Sequence, residues 1–259
     1  MMPLALMILT TAAFDLHYFH GQGRMHHDPE DQHVFKRFFS NSGEPPYRFN
    51  GTFVEMGAAD GISISNSFFF EQQLGWSGML VEPSSNFARV LQNRWNGGRN
   101  TLLHEAVCAE TGQVTWAEGA NKDVSGVLEH LSSHNLHRYH AHSNRTTITC
   151  RPLSEMLASA AIDSIDFFSL DTEGAELAVL ETMNWSVPIH VLCVELDGQN
   201  KTKDEGVRTL LRSRGYRQHT GRMGFRMSNE IWTQNQTKAH DHAAPPLALK
   251  VVQTVLEYG

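Results

Sequence analysis

The 259-residue chain has 41% hydrophobic and 19% charged residues, the balance of an ordinary folded protein rather than a disordered one, and it is long enough for one generous α/β domain. A formal charge of −7, with no clustered stripe of Lys and Arg, excludes a nucleic-acid surface, because a phosphate backbone demands concentrated positive charge. Cys108, Cys150 and Cys193 lack paired spacing and fall in or beside expected strands, so buried free thiols are the expectation, with one disulfide and one leftover thiol as the alternative.

The chain opens on an apolar run over residues 2–14. As a helix at ~1.5 Å per residue it reaches about 20 Å, short of a hydrocarbon core of roughly 30 Å, so no stable membrane span is expected. The run fits the core of a signal peptide that lacks its basic n-region, or the remnant of a longer anchor. Asn50, Asn144, Asn184, Asn200 and Asn235 each head an Asn-x-Ser/Thr acceptor sequence. That excess over chance points to the secretory pathway, the lumen of the endoplasmic reticulum or Golgi, with the cytoplasm as the alternative. The expected organisation is an N-terminal segment and linker over 1–46, a catalytic-type domain over 47–233 and a tail over 234–259.

Residues 17–46 are polar and rich in His, Gly and Pro, with one apolar patch at Val34, Phe35, Phe38 and Phe39. They read as a linker with one docking helix. The pair His26-His27 reads as solvated tail, since no partner ligands stand at a set spacing.

Residues 52–56 form a short buried strand that breaks at Gly57 into a turn ending at Gly61, and a helix follows from about residue 66 to 74. A strand, a glycine turn and a helix N-terminus together make a ligand site, because glycine admits close backbone approach and the first helical N–H groups point outward. The turn is G-x-x-x-G without lysine, so it matches neither a dinucleotide fingerprint nor a phosphate-binding loop, which disfavours a dehydrogenase. It carries Glu55 and Asp60. Carboxylates repel a pyrophosphate but suit S-adenosylmethionine, with its sulfonium and ammonium charges.

A second strand over 79–81 closes on Glu82-Pro83, where a doubly wound fold places the acid that holds ribose hydroxyls. Residues 85–95 have helical spacing, with Ser84 or Ser85 as N-cap and Phe87, Val90, Leu91 and Trp95 on one face. One strand over 102–108 and another over 113–116 come next. The β-α-β-α-β order predicts a parallel sheet with right-handed crossovers. The long polar stretch 118–145 holds His130, His134, His137, His140 and His142. It reads as a lid or acceptor-binding segment carrying a solvated polar helix rather than a metal face.

A strand over 146–150 and a helix over 152–160 lead to the second informative stretch, Ile165 through Glu176. Its apolar run is a central strand, and Asp171, Glu173 and Glu176 stand where that strand ends and a helix begins. Ligands of open parallel sheets bind outside the carboxyl ends of the strands, so these acids face the crevice shared with Gly57 and Glu82. A strand over 189–196, a helix over 207–214 and an antiparallel pair over 216–219 and 230–233 complete the domain, with a weak helix over 247–256 in the tail.

Taken together, Phe53 through Gly61, residues 66–78, Val81-Glu82-Pro83 and Asp166 through Glu176 resemble the FkbM family of S-adenosylmethionine-dependent methyltransferases, over roughly residues 52–233. Ser169-Leu170-Asp171 is similar to the eukaryotic branch that includes the Star protein. The resemblance implies an α/β fold, the class I methyltransferase (Rossmann-like) doubly wound, mostly parallel seven-stranded sheet, and methyl transfer to a hydroxyl of a small molecule or carbohydrate. It implies that Glu55, Gly57, Asp60, Gly61, Asn66, Glu82 and Asp171 hold the donor, with Glu105 and Ala106 near its adenine. An acceptor hydroxyl needs a base, for which Asp171 and Glu173 are the candidates, with Glu195 and Asp197 behind them; no metal is required. Star-like members supply the alternative, a catalytically inactive protein of this fold acting in secretory trafficking.

Overall fold

The computed structural model describes residues 14–21, 29–119, 122–140, 142–219 and 228–234. The apolar run up to residue 13, His26-His27, the acceptor sequence at Asn235 and the expected tail helix lie outside them. Among the described residues no helix is long and apolar enough to cross a membrane.

In chain order, α1 (Glu30–Val34) continues into a wider helical turn at Phe35–Phe39. Then come β1 (Thr52–Met56), α2 (Phe68–Leu74), β2 (Ser77–Val81) and α3 (Phe87–Arg94). Short strands β3 (Thr101–Leu103), β4 (Ala106–Val107), β5 (Gly112–Glu118) and β6 (Gly126–Val127) precede α4 (Ser133–Tyr139) and β7 (Asn144–Arg151). The chain closes with α5 (Leu153–Ser159), β8 (Ile165–Leu170), α6 (Glu176–Glu181), β9 (Ile189–Glu195), α7 (Lys201–Ser213), β10 (Tyr216–Gln218) and β11 (Asn229–Gln234).

The main sheet has seven strands in the order β10-β11-β9-β8-β1-β2-β3. Its pairs from β3 to β9 are parallel, and β11 runs antiparallel to both β9 and β10, so the expected mostly parallel, doubly wound sheet is present. Alternation along each strand divides the core between two faces. Val54, Met56, Phe168 and Leu170 pack with Leu153, Met156, Val179 and Leu211 on one side. Phe53 and Phe167 pack with Val34, Phe35, Phe39, Phe69, Phe70 and Val90 on the other, so the docking segment expected near residue 35 completes that layer. Gly75 ends α2 in the left-handed conformation (φ 68°), as glycine does at helix C-termini.

Four expectations are corrected. The stretch 102–108 is not one strand: it leaves the main sheet after Leu103, and β4 joins a second, four-stranded sheet in the order β4-β7-β5-β6. Cys108 and Cys150, brought side by side by β4 and β7, form a disulfide, and Cys193 alone is a free, buried thiol. On α3, Leu91 and Trp95 are exposed at 43% and 63%, whereas Arg94 is buried at 1%. The inward face of α3 runs through Val90 and Arg94, and the Arg94 guanidinium is satisfied there by Glu71 at 2.7 Å and by the Gly61 carbonyl at 2.9 Å. Nor do Ser84 and Ser85 cap α3: Asn86 stands at its N-cap.

Candidate functional site

Register decides what meets at the top of the sheet. Met56 lies opposite both Val81 and Leu170, and Leu170 lies opposite Val194. The next residues, Glu82, Gly57, Asp171 and Glu195, therefore form a row across the tips of β2, β1, β8 and β9. The chain reverses direction of winding between β1 and β8, where open sheets hold their ligands. A cavity opens over this row, and Gly57, Glu82, Glu105, Ala106, Asp171 and Glu173 line it. Its far wall comes from the second sheet and the turn before β6, with Trp116, Lys122, Asp123, Ser125 and Val127.

Gly57 (φ 82°) allows the tips of β1 and β8 to touch, since a Cβ there would lie 1.9 Å from the Asp171 carbonyl oxygen. Glu82 accepts hydrogen bonds from the Ala59 N–H at 2.7 Å and the Ser84 N–H at 2.8 Å. Burial raises its pKa to about 6 against these bonds, so the carboxylate that faces the cavity also braces both flanking turns. Glu105 lines the cavity with its carboxylate tied to Arg151 at 2.6 Å.

Glu55, Asp60, Gly61 and Asn66 are not among the residues that line the cavity; the carboxylates of the two acids and the side-chain N–H of Asn66 are engaged within the fold. The Glu55 carboxylate accepts from Ser65 Oγ and the Asn66 N–H, each at 2.7 Å, and from Ser67 Oγ, bracing the entry to α2. Asp60 accepts from the N–H groups of Ile62 and Ser63 at 2.9 and 2.7 Å, closing its own turn. Gly61 (φ 81°) leaves space for the Arg94 side chain, and Asn66 donates to Ser169 Oγ at 3.0 Å.

The acids after β8 and β9 differ among themselves. Glu176 is spent within the fold: it accepts from the N–H groups of Thr172 and Gly174 and pairs with Lys203. Burial works against the Lys203 ammonium, yet Glu176 and Asp204 together push its pKa up. Glu173 sits in the left-handed region (φ 54°), and Asn135 of α4 donates to it at 3.4 Å. Burial, then the charges of Asp171, Glu176 and Asp197, raise its pKa to about 9. Glu195, hydrogen-bonded to Asp171, is raised as well, by burial first and by Asp171 and Glu173 next. Carboxylate oxygens of Asp171, Glu176 and Glu195 lie within 4.8 Å of one another, but Lys203 already holds a position on Glu176 as their counter-cation.

Of the histidines in 118–145, His134 and His137 are exposed on α4, whereas His140 is buried and bonds the Val124 carbonyl oxygen at 2.8 Å. The segment is fastened to the β2 turn by Glu118, which accepts from Ser85 Oγ at 2.6 Å. Sequence reasoning missed Trp116, Ser125 and Val127 as cavity residues; the break in βα alternation was the available signal, and it named no side chain.

A family model described as a methyltransferase FkbM domain matches residues 55–218, more than half of the chain. No curated protein matches the sequence. Among solved structures, the methyltransferase FkbM from Methylobacillus flagellatus KT is 14% identical, covers 80% of this chain and 49% of its own, and has a TM-score of 0.47; this chain thus spans about half its length. A SAM-dependent methyltransferase from Aquifex aeolicus is 11% identical, with 83% of this chain and 93% of its own covered and a TM-score of 0.40.

Proposed function

The chain belongs to the FkbM family of methyltransferases, and from that premise we propose that it uses S-adenosylmethionine to methylate a hydroxyl oxygen of a small molecule or glycan. The observation that carries this reading is the mixed lining of the cavity over the strand tips. Asp171, Glu173 and Glu82 bring carboxyl groups to it, and Ala106, Val107, Trp116 and Val127 bring apolar surface. A donor with a cationic amino-acid end, a ribose and a heteroaromatic base carries the same kinds of chemistry. The residues present therefore fit it: acids for the sulfonium and ammonium, Glu82 for ribose hydroxyls, an apolar slot for the base.

When bound, S-adenosylmethionine supplies a methyl carbon already activated by its sulfonium. The chain's own task is to align the acceptor oxygen with that carbon and to take its proton. Glu173, with a pKa raised to about 9, carries a proton at neutral pH and serves as a hydrogen-bond donor that orients the acceptor. Asp171 would be the base, with Glu195 donating to it, and would take the proton of the acceptor hydroxyl. Acidic walls disfavour anionic acceptors, which supports a neutral hydroxyl compound. The Cys108–Cys150 disulfide supports an oxidising compartment, hence the secretory pathway.

Calorimetric titration with S-adenosylmethionine, S-adenosylhomocysteine and NAD tests the reading. Binding of the first two and not the third is expected. NAD binding would favour a dehydrogenase, and no binding at all a non-catalytic protein of this fold.

A further inference from the structure

We propose that His33, Arg37, Arg217 and His219 form an oxyanion site, for a phosphate or sulfate ester group, at the β10 edge of the large sheet. Two elements bring the four together. His33 and Arg37 stand on the docking segment about one helical turn from each other. His219 continues the β10 ladder through its N–H to the Ile231 carbonyl oxygen, so Arg217 and His219 alternate along the edge strand and share one of its faces. That face meets the docking segment: the His219 ring lies 5.0 Å from the ring of Phe38, and Nη2 of Arg37 lies 3.4 Å from His219 Nδ1. Arg37 and Arg217 are exposed, and among the described residues neither pairs with a carboxylate. On a chain of net charge −7, this gathering of basic side chains makes a local positive field that an anion relieves.

The state of His219 shows where the anion would sit. A guanidinium donates and never accepts, so Nδ1 accepts from Arg37, the ring proton is on Nε2, and Nε2 donates to Thr233 Oγ1 at 2.7 Å. Burial, then the charges of Arg37, Arg217 and His33, push the His219 pKa down and keep the ring neutral. An oxyanion placed between Arg37 and Nδ1 inverts this: Arg37 turns its N–H groups to the anion, Nδ1 takes up a proton and donates as well, and Arg217 adds a second guanidinium. Donors arriving from a helix and a strand suit a tetrahedral phosphate or sulfate better than a flat carboxylate. Place in the fold separates this site from the cavity. With β11 and β9 between β10 and Asp171 on β8, it stands independently of the donor reading.

The test titrates inorganic sulfate, whose charge is fixed near neutral pH, into the full chain at constant ionic strength. The His219 imidazole is followed by NMR and identified by its absence in His219→Gln. Sulfate should bind saturably and raise the His219 pKa, so affinity should rise by up to about tenfold as pH falls through the histidine range. Arg37→Gln or Arg217→Gln should weaken sulfate about tenfold, whereas Arg145→Gln, exposed on β7, should bind it like the parent. Vesicles of phosphatidic acid and of phosphatidylcholine separate the sources. Sedimentation with the first alone, lost in the double arginine variant, assigns a lipid headgroup; sulfate binding without sedimentation assigns a soluble ester. A His219 pKa unmoved by sulfate overturns the site, as does a response that never saturates or that survives in both arginine variants. Should an arginine variant fail to fold, the parent's own His219 titration decides.

Discussion

Asp171 and Glu173 are two positions apart and take different roles in the proposed reaction, base and hydrogen-bond donor. Asp171→Asn keeps shape and deletes basicity, so methyl transfer to a genuine acceptor, measured at saturating donor, should fall about 10²–10⁴-fold; a parent-like rate would move the base elsewhere. Glu173 has a pKa of about 9 in the fold against an ordinary 4.5. The folded chain thus holds a proton that the unfolded chain releases between those values. Its contribution is whole below pH 4.5 and declines as pH rises toward 9, so thermal stability should drop across that window. Glu173→Gln cannot titrate, and its Tm should be flatter from pH 5 to 9 and higher than the parent's at pH 9. Equal slopes in the two proteins would show that other groups govern the decline.

At the scale of elements, the helix after the glycine turn and the helix after β2 are joined by one buried cation. Arg94 of α3 pairs with Glu71 of α2 and bonds Ser65 Oγ at 3.0 Å and Ser67 Oγ at 2.9 Å, with Glu55 of β1 at 3.7 Å. Its side chain is 0% exposed and that of Glu71 is 3%. Replacing it by methionine strands two buried carboxylates, a loss of about 3–5 kcal/mol by the usual cost of breaking a buried pair. Urea denaturation measures this directly; a change under about 1 kcal/mol would mean that the carboxylates find water or protons instead. The same bonds draw the Glu55 carboxylate into the packing of α2 and α3.

For the whole molecule, the two sheets divide the labour. The large sheet supplies the row of tips, and the small one supplies the cavity's apolar wall, held by Cys108–Cys150 across a separation of 42 residues. Asn50, Asn144, Asn184 and Asn200 are all exposed. Expressed from its full-length message in a eukaryotic cell, the protein should carry endoglycosidase-sensitive mass and show a mobility difference between reduced and non-reduced gels. A single unglycosylated species with three free thiols would place it in the cytosol.

What the sequence determined by itself is what depends on neighbours in the chain. Strand periodicity, the break at Gly57 and the acids following apolar runs located β1, β2, β8 and β9 and put Gly57, Glu82, Asp171 and Glu173 at their ends, because parallel strands end on one side of the sheet. What only the tertiary structure decided depends on distant pairings. Apolar periodicity does not say which sheet a strand joins, so the split of 102–108 into β3 and β4, and with it the choice of Cys108 and Cys150 as the disulfide pair, stayed hidden. A carboxylate's spacing does not say where its oxygens point, so the bonds that Glu55 and Asp60 accept from the N–H and hydroxyl groups of 62–67 were not legible. Trp116 and Ser125 became cavity residues only when β5 and β6 folded against Ala106, a contact that no local pattern encodes.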